Sequence, residues 1–205
     1  GLGVDVLAAL TTGDNNTAVG FKSLTGNTTG AGNTAFGKGS AYRLTTGNDN
    51  TFLGHTDDSN AGATTSSSNT FVGRSTGERN TTGNANTAVG SLCMDLQTTG
   101  NTNTGVGSSC LTAMTTPANN TAVGAATTTS NTVAIGFQAL NVATGAENCA
   151  VGYQAGIAVT TGADNVLVGY QAGDAVTTGN DNVAIGGFSM NTGTGVTGYA
   201  NTTVG

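Results

Sequence analysis

The chain has 205 residues, of which 34 are glycine, one is proline and only 8% are charged, and its formal net charge at pH 7 is −6. This composition disfavours a helix bundle, because glycine and β-branched threonine are poor residues for a helix interior. Scarce proline excludes collagen, and scarce Lys and Arg exclude an ordinary nucleic-acid-binding surface. No apolar run approaches the ~20 residues of a membrane helix, so no membrane insertion is expected.

A short motif, Asn-Thr-Ala-Val-Gly in its commonest form, recurs along the whole chain. Most steps between successive motifs are 17 residues long, and the shortest, from Gly124 to Gly136, is 12. The repeats predict a single array over residues 1–205, interpreted as a segment of a longer fibre, with irregular rungs at 55–69 and 124–136. The closing glycines are Gly20, Gly37, Gly54, Gly73, Gly90, Gly107, Gly124, Gly136, Gly152, Gly169, Gly186 and Gly205.

Within each repeat the chemistry depends on the position relative to the closing glycine. The residue before the glycine is large and apolar, the residue three before it is Thr, Val or Cys, and an Ala usually lies between them. This alternation predicts a short strand. A second pattern follows the glycine, as in residues 137–140 (Phe-Gln-Ala-Leu), and predicts a second short strand before a Thr-Thr-Gly corner. The whole predicts an all-β parallel solenoid, or β-roll, of about 12 rungs stacked ~4.8 Å apart.

An asparagine stands four residues before every closing glycine except one. In stacked coils these side chains are predicted to form a ladder that exchanges amide hydrogen bonds between rungs. The asparagines are Asn16, Asn33, Asn50, Asn69, Asn86, Asn103, Asn120, Asn148, Asn165, Asn182 and Asn201.

The predicted strand is apolar on both faces. One face can fill the interior of the coil, whereas the other needs a further partner, because monomers rarely expose a long apolar stripe. The sequence therefore predicts an oligomer, although the pattern does not fix the number of chains.

The motifs resemble two known kinds of repeat. Asn-Thr-Ala-Val-Gly and residues 182–186 (Asn-Val-Ala-Ile-Gly) resemble the repeat of YadA-type trimeric autotransporter adhesin heads, and residues 160–173 are similar to repeats of phage and algal-virus tail-fibre proteins. The resemblance implies a left-handed β-roll, three chains around one axis, and attachment without catalysis. We therefore expect an extracellular, homotrimeric segment of a phage tail fibre or similar appendage that binds a host receptor, either glycan or protein. A bacterial adhesin head is the alternative.

Residues suited to catalysis are scarce, so neither enzymatic activity nor a cofactor is expected. The single histidine, His55, precedes Asp57 and Asp58 and offers a weak candidate metal site, although a solvated loop is the favoured interpretation. A polysaccharide depolymerase would need paired carboxylates facing a groove. The acidic residues considered for this role occupy non-equivalent repeat positions, and they are Asp5, Asp14, Asp95, Glu147 and Asp174.

Several side chains are candidates for contact with a receptor. Tyr153 and Tyr170 directly follow closing glycines, where they could either pack between adjacent rods or contact a glycan. The cation-bearing stretch 38–79, which includes Arg74 and Arg79, has the most varied side chains and is the first place to expect receptor contact. The Thr-Thr-Gly corners leave an ice-binding surface open as a further alternative.

Two of the three cysteines lie one period apart. Cys93 and Cys110 occupy the same small-residue position on adjacent rungs, where in-register neighbours are poorly oriented for a disulfide. They are predicted to be buried free thiols.

Overall fold

The computed structural model describes residues 1–56, 64–112, 116–124, 130–191 and 195–205. These residues form twelve parallel strands in one sheet, in sequence order, which confirms the predicted all-β solenoid. The strands are β1 (Thr17–Val19), β2 (Thr34–Phe36), β3 (Thr51–Leu53), β4 (Thr70–Val72), β5 (Thr87–Val89), β6 (Thr104–Val106), β7 (Thr121–Val123), β8 (Val133–Ile135), β9 (Cys149–Val151), β10 (Val166–Val168), β11 (Val183–Ile185) and β12 (Thr202–Val204).

Equivalent residues of successive repeats stack on one another. Thr17 pairs with Thr34 in β1 and β2, and the same register continues to β12. The short step between β7 and β8 keeps this register, because Thr121 pairs with Val133. The irregular rungs predicted at 55–69 and 124–136 fall largely on residues 57–63 and 125–129, which lie outside the described residues. Each repeat position therefore forms a column along the rod.

The two faces of each strand have different environments, as the alternation predicted. The middle residue of the strand points into the coil, and it is buried in ten of the twelve strands and half-buried in β3 and β12. The first and last residues point outwards and are half-buried or exposed. The buried middle residues include Ala18, Ala35, Phe71, Ala88, Ala122, Ala134, Ala150, Leu167 and Ala184.

The second strand predicted after each closing glycine is wrong for the described residues. This segment is a series of turns in which alternate residues have positive φ, such as Lys22 at 57° and Leu24 at 48°. Its hydrogen bonds alternate between the next rung, where the Leu24 N–H donates to Ser40 O at 2.9 Å, and the same turn, where the Ser23 N–H donates to Gly20 O at 3.3 Å. Such a segment also repeats with period 2, so its sequence resembles that of a strand.

The interior is filled by complementary side-chain sizes. Opposite the strand, larger residues four positions after the closing glycine are fully buried, and these are Leu24, Met94, Leu111 and Leu140. Where glycine takes this position, a larger residue of the same strand or of a neighbouring rung fills the space. A Cβ on Gly77 would lie 2.5 Å from the Phe71 ring, and a Cβ on Gly173 would lie 2.5 Å from Leu167. The coil is thus packed like an ordinary core and needs no partner on its inner side.

Candidate functional site

The asparagine column connects the rungs inside the coil. The Nδ2 of Asn165 donates to Asn148 Oδ1 and to Gly179 O, each at 3.0 Å. Asn165 Oδ1 in turn accepts from both N and Nδ2 of Asn182 at 3.0 Å. Each buried amide therefore satisfies polar groups in two neighbouring rungs.

We expect Asn165→Ala to lower the free energy of unfolding by about 3 kcal/mol or more, because it leaves several buried donors and acceptors without partners. Asn180→Ala is the matched control. Asn180 Oδ1 accepts one bond from the Ala163 N–H at 2.8 Å, and its loss should cost only about 1 kcal/mol. Urea unfolding of both variants measures the difference, and equal midpoints would contradict this role of the ladder.

The Thr-Thr-Gly corners use their first hydroxyl within the rod. Thr28 Oγ1 donates to Thr45 O at 3.1 Å, and Thr160 Oγ1 donates to Thr177 O at 3.1 Å. These hydroxyl protons are therefore engaged by the next rung rather than directed to solvent. This arrangement gives little support to an ice-binding function for that column.

The outer strand face consists of the residues three and one before each closing glycine. Phe36 is 59% exposed and Ile185 is 41% exposed, and Val166 contributes from the other column at 37%. Because the strands are in register, the column next to the glycine forms an apolar stripe along the described sheet, beside a column that is Thr in eight of the twelve strands. The exposed members of the column next to the glycine are Phe36, Leu53, Val89, Val106, Val123, Ile135, Ile185 and Val204.

An aromatic ladder, formed by Phe137, Tyr153, Tyr170 and Phe188, adjoins this face after the closing glycines. Phe137 and Tyr153 stack with centroids 5.5 Å apart, and Tyr153 and Tyr170 stack at 5.3 Å with an interplanar angle of 7°. Phe188 meets Tyr170 edge-on at 5.2 Å. Because the stacked rings cover one another's faces, the ladder presents mainly ring edges and the two tyrosine hydroxyls to solvent.

A glutamine ladder runs beside the aromatic rings, and the sequence analysis missed it. Gln171 Nε2 donates to Gln154 Oε1, and Gln154 Nε2 donates to Gln138 Oε1, both at 2.8 Å. The signal was present in the sequence, since each of these glutamines stands two residues after a closing glycine. These hydrogen bonds hold together the three rungs that carry Phe137, Tyr153 and Tyr170.

The structure separates the candidate arginines from the candidate tyrosines. Arg74 occupies the same column as Tyr153 but follows β4 rather than β9, which places it five rungs, or ~24 Å, away. Arg79 is exposed and lies close to Asp95. Burial raises the pKa of the Asp95 carboxyl, and the positive charge of Arg79 opposes that rise. The two groups of candidates therefore define separate surfaces.

The candidate metal site is only partly within the described residues. His55 follows β3, whereas Asp57 and Asp58 lie outside the described residues. In the part of the chain that the structure describes, no group of three or more His, Cys, Asp or Glu side chains is arranged to hold a metal. In the same part, no helix has the length and apolar character needed to cross a membrane.

The three cysteines are free, and two are buried as predicted. A side-chain hydrogen bond with Cys110 and burial together raise the pKa of the Cys93 thiol far above its ordinary value. Cys149 is half-buried and belongs to the outer strand face.

We expect Cys93 and Cys110 to resist a water-soluble thiol reagent in the native protein, because reaction requires an accessible thiolate. Cys149 should react in a single chain and be protected when the outer strand face is covered. Counting the modified thiols before and after denaturation measures this. Rapid native modification of Cys93 or Cys110 would contradict the burial described here.

A carboxylate column was also missed. Glu147, Asp164 and Asp181 each stand five residues before a closing glycine and share positive φ values of 62°, 58° and 58°. The Asp164 N–H donates to Ala146 O and the Asp181 N–H to Ala163 O, at 3.3 Å and 3.2 Å. The expectation that the acidic residues occupy non-equivalent positions is therefore wrong for Glu147, which shares its column with Asp49, Asp164 and Asp181. It is also wrong for Asp95 and Asp174, which both stand five residues after a closing glycine.

These features define a parallel β-solenoid with a packed interior and an uncovered apolar strand face. No protein-family model matches the chain, and comparisons with curated proteins and with solved structures gave no significant match. The inference of function therefore depends on the chain's own surface.

Proposed function

We propose that this chain is a structural and adhesive segment of a homotrimeric fibre, in a phage tail fibre or a similar extracellular appendage, and that it attaches to a host surface without catalysis. The outer strand face is the observation that carries the proposal. It exposes Phe36, Leu53 and Ile185, among others, on a chain whose interior is already filled. A stripe of this length is typical of an interaction surface.

Three chains around one axis would cover this face along its whole length. Each rod has one strand face, and turning it towards a common axis buries both of its outer columns against two neighbours. The resemblance of the repeats to trimeric adhesin heads and tail fibres supports three chains rather than two. Burying half-exposed Val, Ile and Phe side chains supplies the driving force, at about 25 cal/mol for each Å² removed from water.

Attachment would then use side chains that face away from the trimer axis. Arg79 is exposed in the turn segment on the first half of the rod, in the part of the chain that contains all five cations, whereas Arg74 shares the column of Tyr153 beside the outer strand face. Side chains on a rigid scaffold suit recognition because they lose little conformational freedom on binding. A host glycan or surface protein is the proposed partner.

Competition for adsorption tests this function. We expect an excess of the purified trimer to block adsorption of the particle or cell whose appendage contains this chain, and Arg79→Ala to block it less. Failure of the wild-type trimer to compete would contradict an attachment role. The flanking reading frame identifies the appendage, since a virion-attachment domain indicates a tail fibre and an outer-membrane anchor indicates an adhesin.

A further inference from the structure

Two columns of side chains flank the outer strand face. On one side lies the residue directly after the closing glycine, which is Tyr153 after β9 and Tyr170 after β10. On the other side lies the residue five before the glycine, which is Glu147 before β9 and Asp164 before β10. All four side chains are exposed, and the tyrosines are 43% and 49% exposed.

Chemically matched groups occupy the two flanks at the same level of the rod. Glu147 is level with Tyr153, and Asp164 is level with Tyr170. In the middle of the rod, where the first flank carries Ser91, the second carries Ala85 and no carboxylate. Members of a level pair are six residues apart across an extended strand, a separation of ~20 Å, so they cannot touch within one chain.

Most of the polar groups in these pairs lack a hydrogen bond within the described part of the chain. The hydroxyls of Tyr153 and Tyr170 and the carboxylate of Asp164 form none there. Glu147 Oε1 accepts one long bond, at 3.5 Å, from Asn131 Nδ2. Two donors and two acceptors are therefore available to a neighbouring molecule.

Cyclic symmetry brings opposite flanks together. In a ring of identical chains each interface is heterologous, so one edge of a chain meets the other edge of the next chain. A rotation about the rod axis keeps each rung level with its copies. The partner that fits the two flanks is therefore a second copy of this chain.

We propose that the Tyr153 and Tyr170 hydroxyls of one chain donate hydrogen bonds to Glu147 and Asp164 of the next chain and thereby join the two flanks in the trimer. This inference rests on the proposed trimer. A closed ring keeps each rung level with its copies, so the level pairs are the ones that meet. Bonds from a hydroxyl to a carboxylate are charge-assisted and stronger than bonds between neutral groups.

The aromatic ladder favours this partner over a glycan. Its rings cover one another's faces, with Tyr153 and Tyr170 only 7° from parallel, so a sugar could not stack on the middle rings. The exposed ring edges continue the apolar surface of Val151 and Val168.

Cross-linking between chains tests the proposal. In a Cys149→Ala background, Glu147→Cys/Tyr153→Cys treated with a short bismaleimide should give covalent dimers and trimers on a denaturing gel. Each single-cysteine variant should give none. Glu147→Cys/Ser91→Cys, whose cysteines are four rungs or ~19 Å apart in height, should also give none.

A second variant retains the rings and removes only the hydroxyls. Tyr153→Phe/Tyr170→Phe should accelerate trimer dissociation more than tenfold. Tyr199→Phe should leave the dissociation rate unchanged, because Tyr199 belongs to neither flanking column. A trimer by mass that gives no specific cross-link, or whose tyrosines bind a glycan while assembled, would overturn this inference and leave the proposed trimer intact. A monomer by mass would overturn both.

Discussion

Val151→Asp/Val168→Asp is expected to abolish the oligomer. Both valines end adjacent strands on the outer strand face, and their half-buried side chains would meet two other copies in the trimer. Each substitution removes about 1.5–3 kcal/mol of apolar burial per side chain. It also places a carboxylate in a dry interface, at a cost of several kcal/mol per ion. Sedimentation measures the mass, and circular dichroism measures the accompanying loss of the thermal transition.

The matched control is Val142→Asp. Val142 is 48% exposed and lies in the turn segment, away from the outer strand face. This variant carries the same chemical change and should assemble as the wild type does. A stable trimer of the double variant, or equal disruption by the control, would contradict the assignment of the interface to the strand face.

Gly152→Ala is expected to destabilise the rod by about 3 kcal/mol or more. Gly152 has φ of 143°, a conformation that is strained for any residue with a Cβ. An added Cβ would lie 2.2 Å from Gly169 O and 2.6 Å from Gly169 C, both backbone atoms of the next rung. Neither atom can move without disturbing the stack. Differential scanning calorimetry should show a clear fall in Tm.

Gly187→Ala serves as the control for this substitution. It lies one residue after a closing glycine, and the nearest atom to an added Cβ is Tyr170 O at 4.0 Å. Its φ is not positive, so alanine fits without backbone strain. We expect a change of less than about 0.5 kcal/mol. Similar losses of stability in the two variants would show that the close approach of rungs is not the reason for the repeated glycine.

Much of the fold could be predicted because every repeat of the solenoid has the same residue types at equivalent positions. The alternation in Thr-Ala-Val placed Ala18 inside and Val19 outside, as the structure shows. The second strand could not be distinguished from turns, because positive φ at Lys22 and Leu24 preserves a two-residue period without extended backbone. Period alone reports which side chains alternate, not the backbone conformation that makes them do so.

The candidate site was predicted in part. The column of Tyr153 and Tyr170 was recognised from their place after the closing glycine, but their mutual stacking required the three-dimensional rung spacing. Glu147 was considered alone, although Asp164 and Asp181 follow it at the standard spacing of 17 residues. The positional comparison covered the strand, the asparagine and the residues after the glycine, and the position five before the glycine was left out of it.

The mass of the native particle in solution tests the central claim most directly. Sedimentation equilibrium at micromolar concentration should give three times the chain mass of 19.9 kDa for the wild type. The same sample should bury Cys149 and unfold in one concentration-dependent transition. A well-folded, soluble monomer of 19.9 kDa would contradict the account.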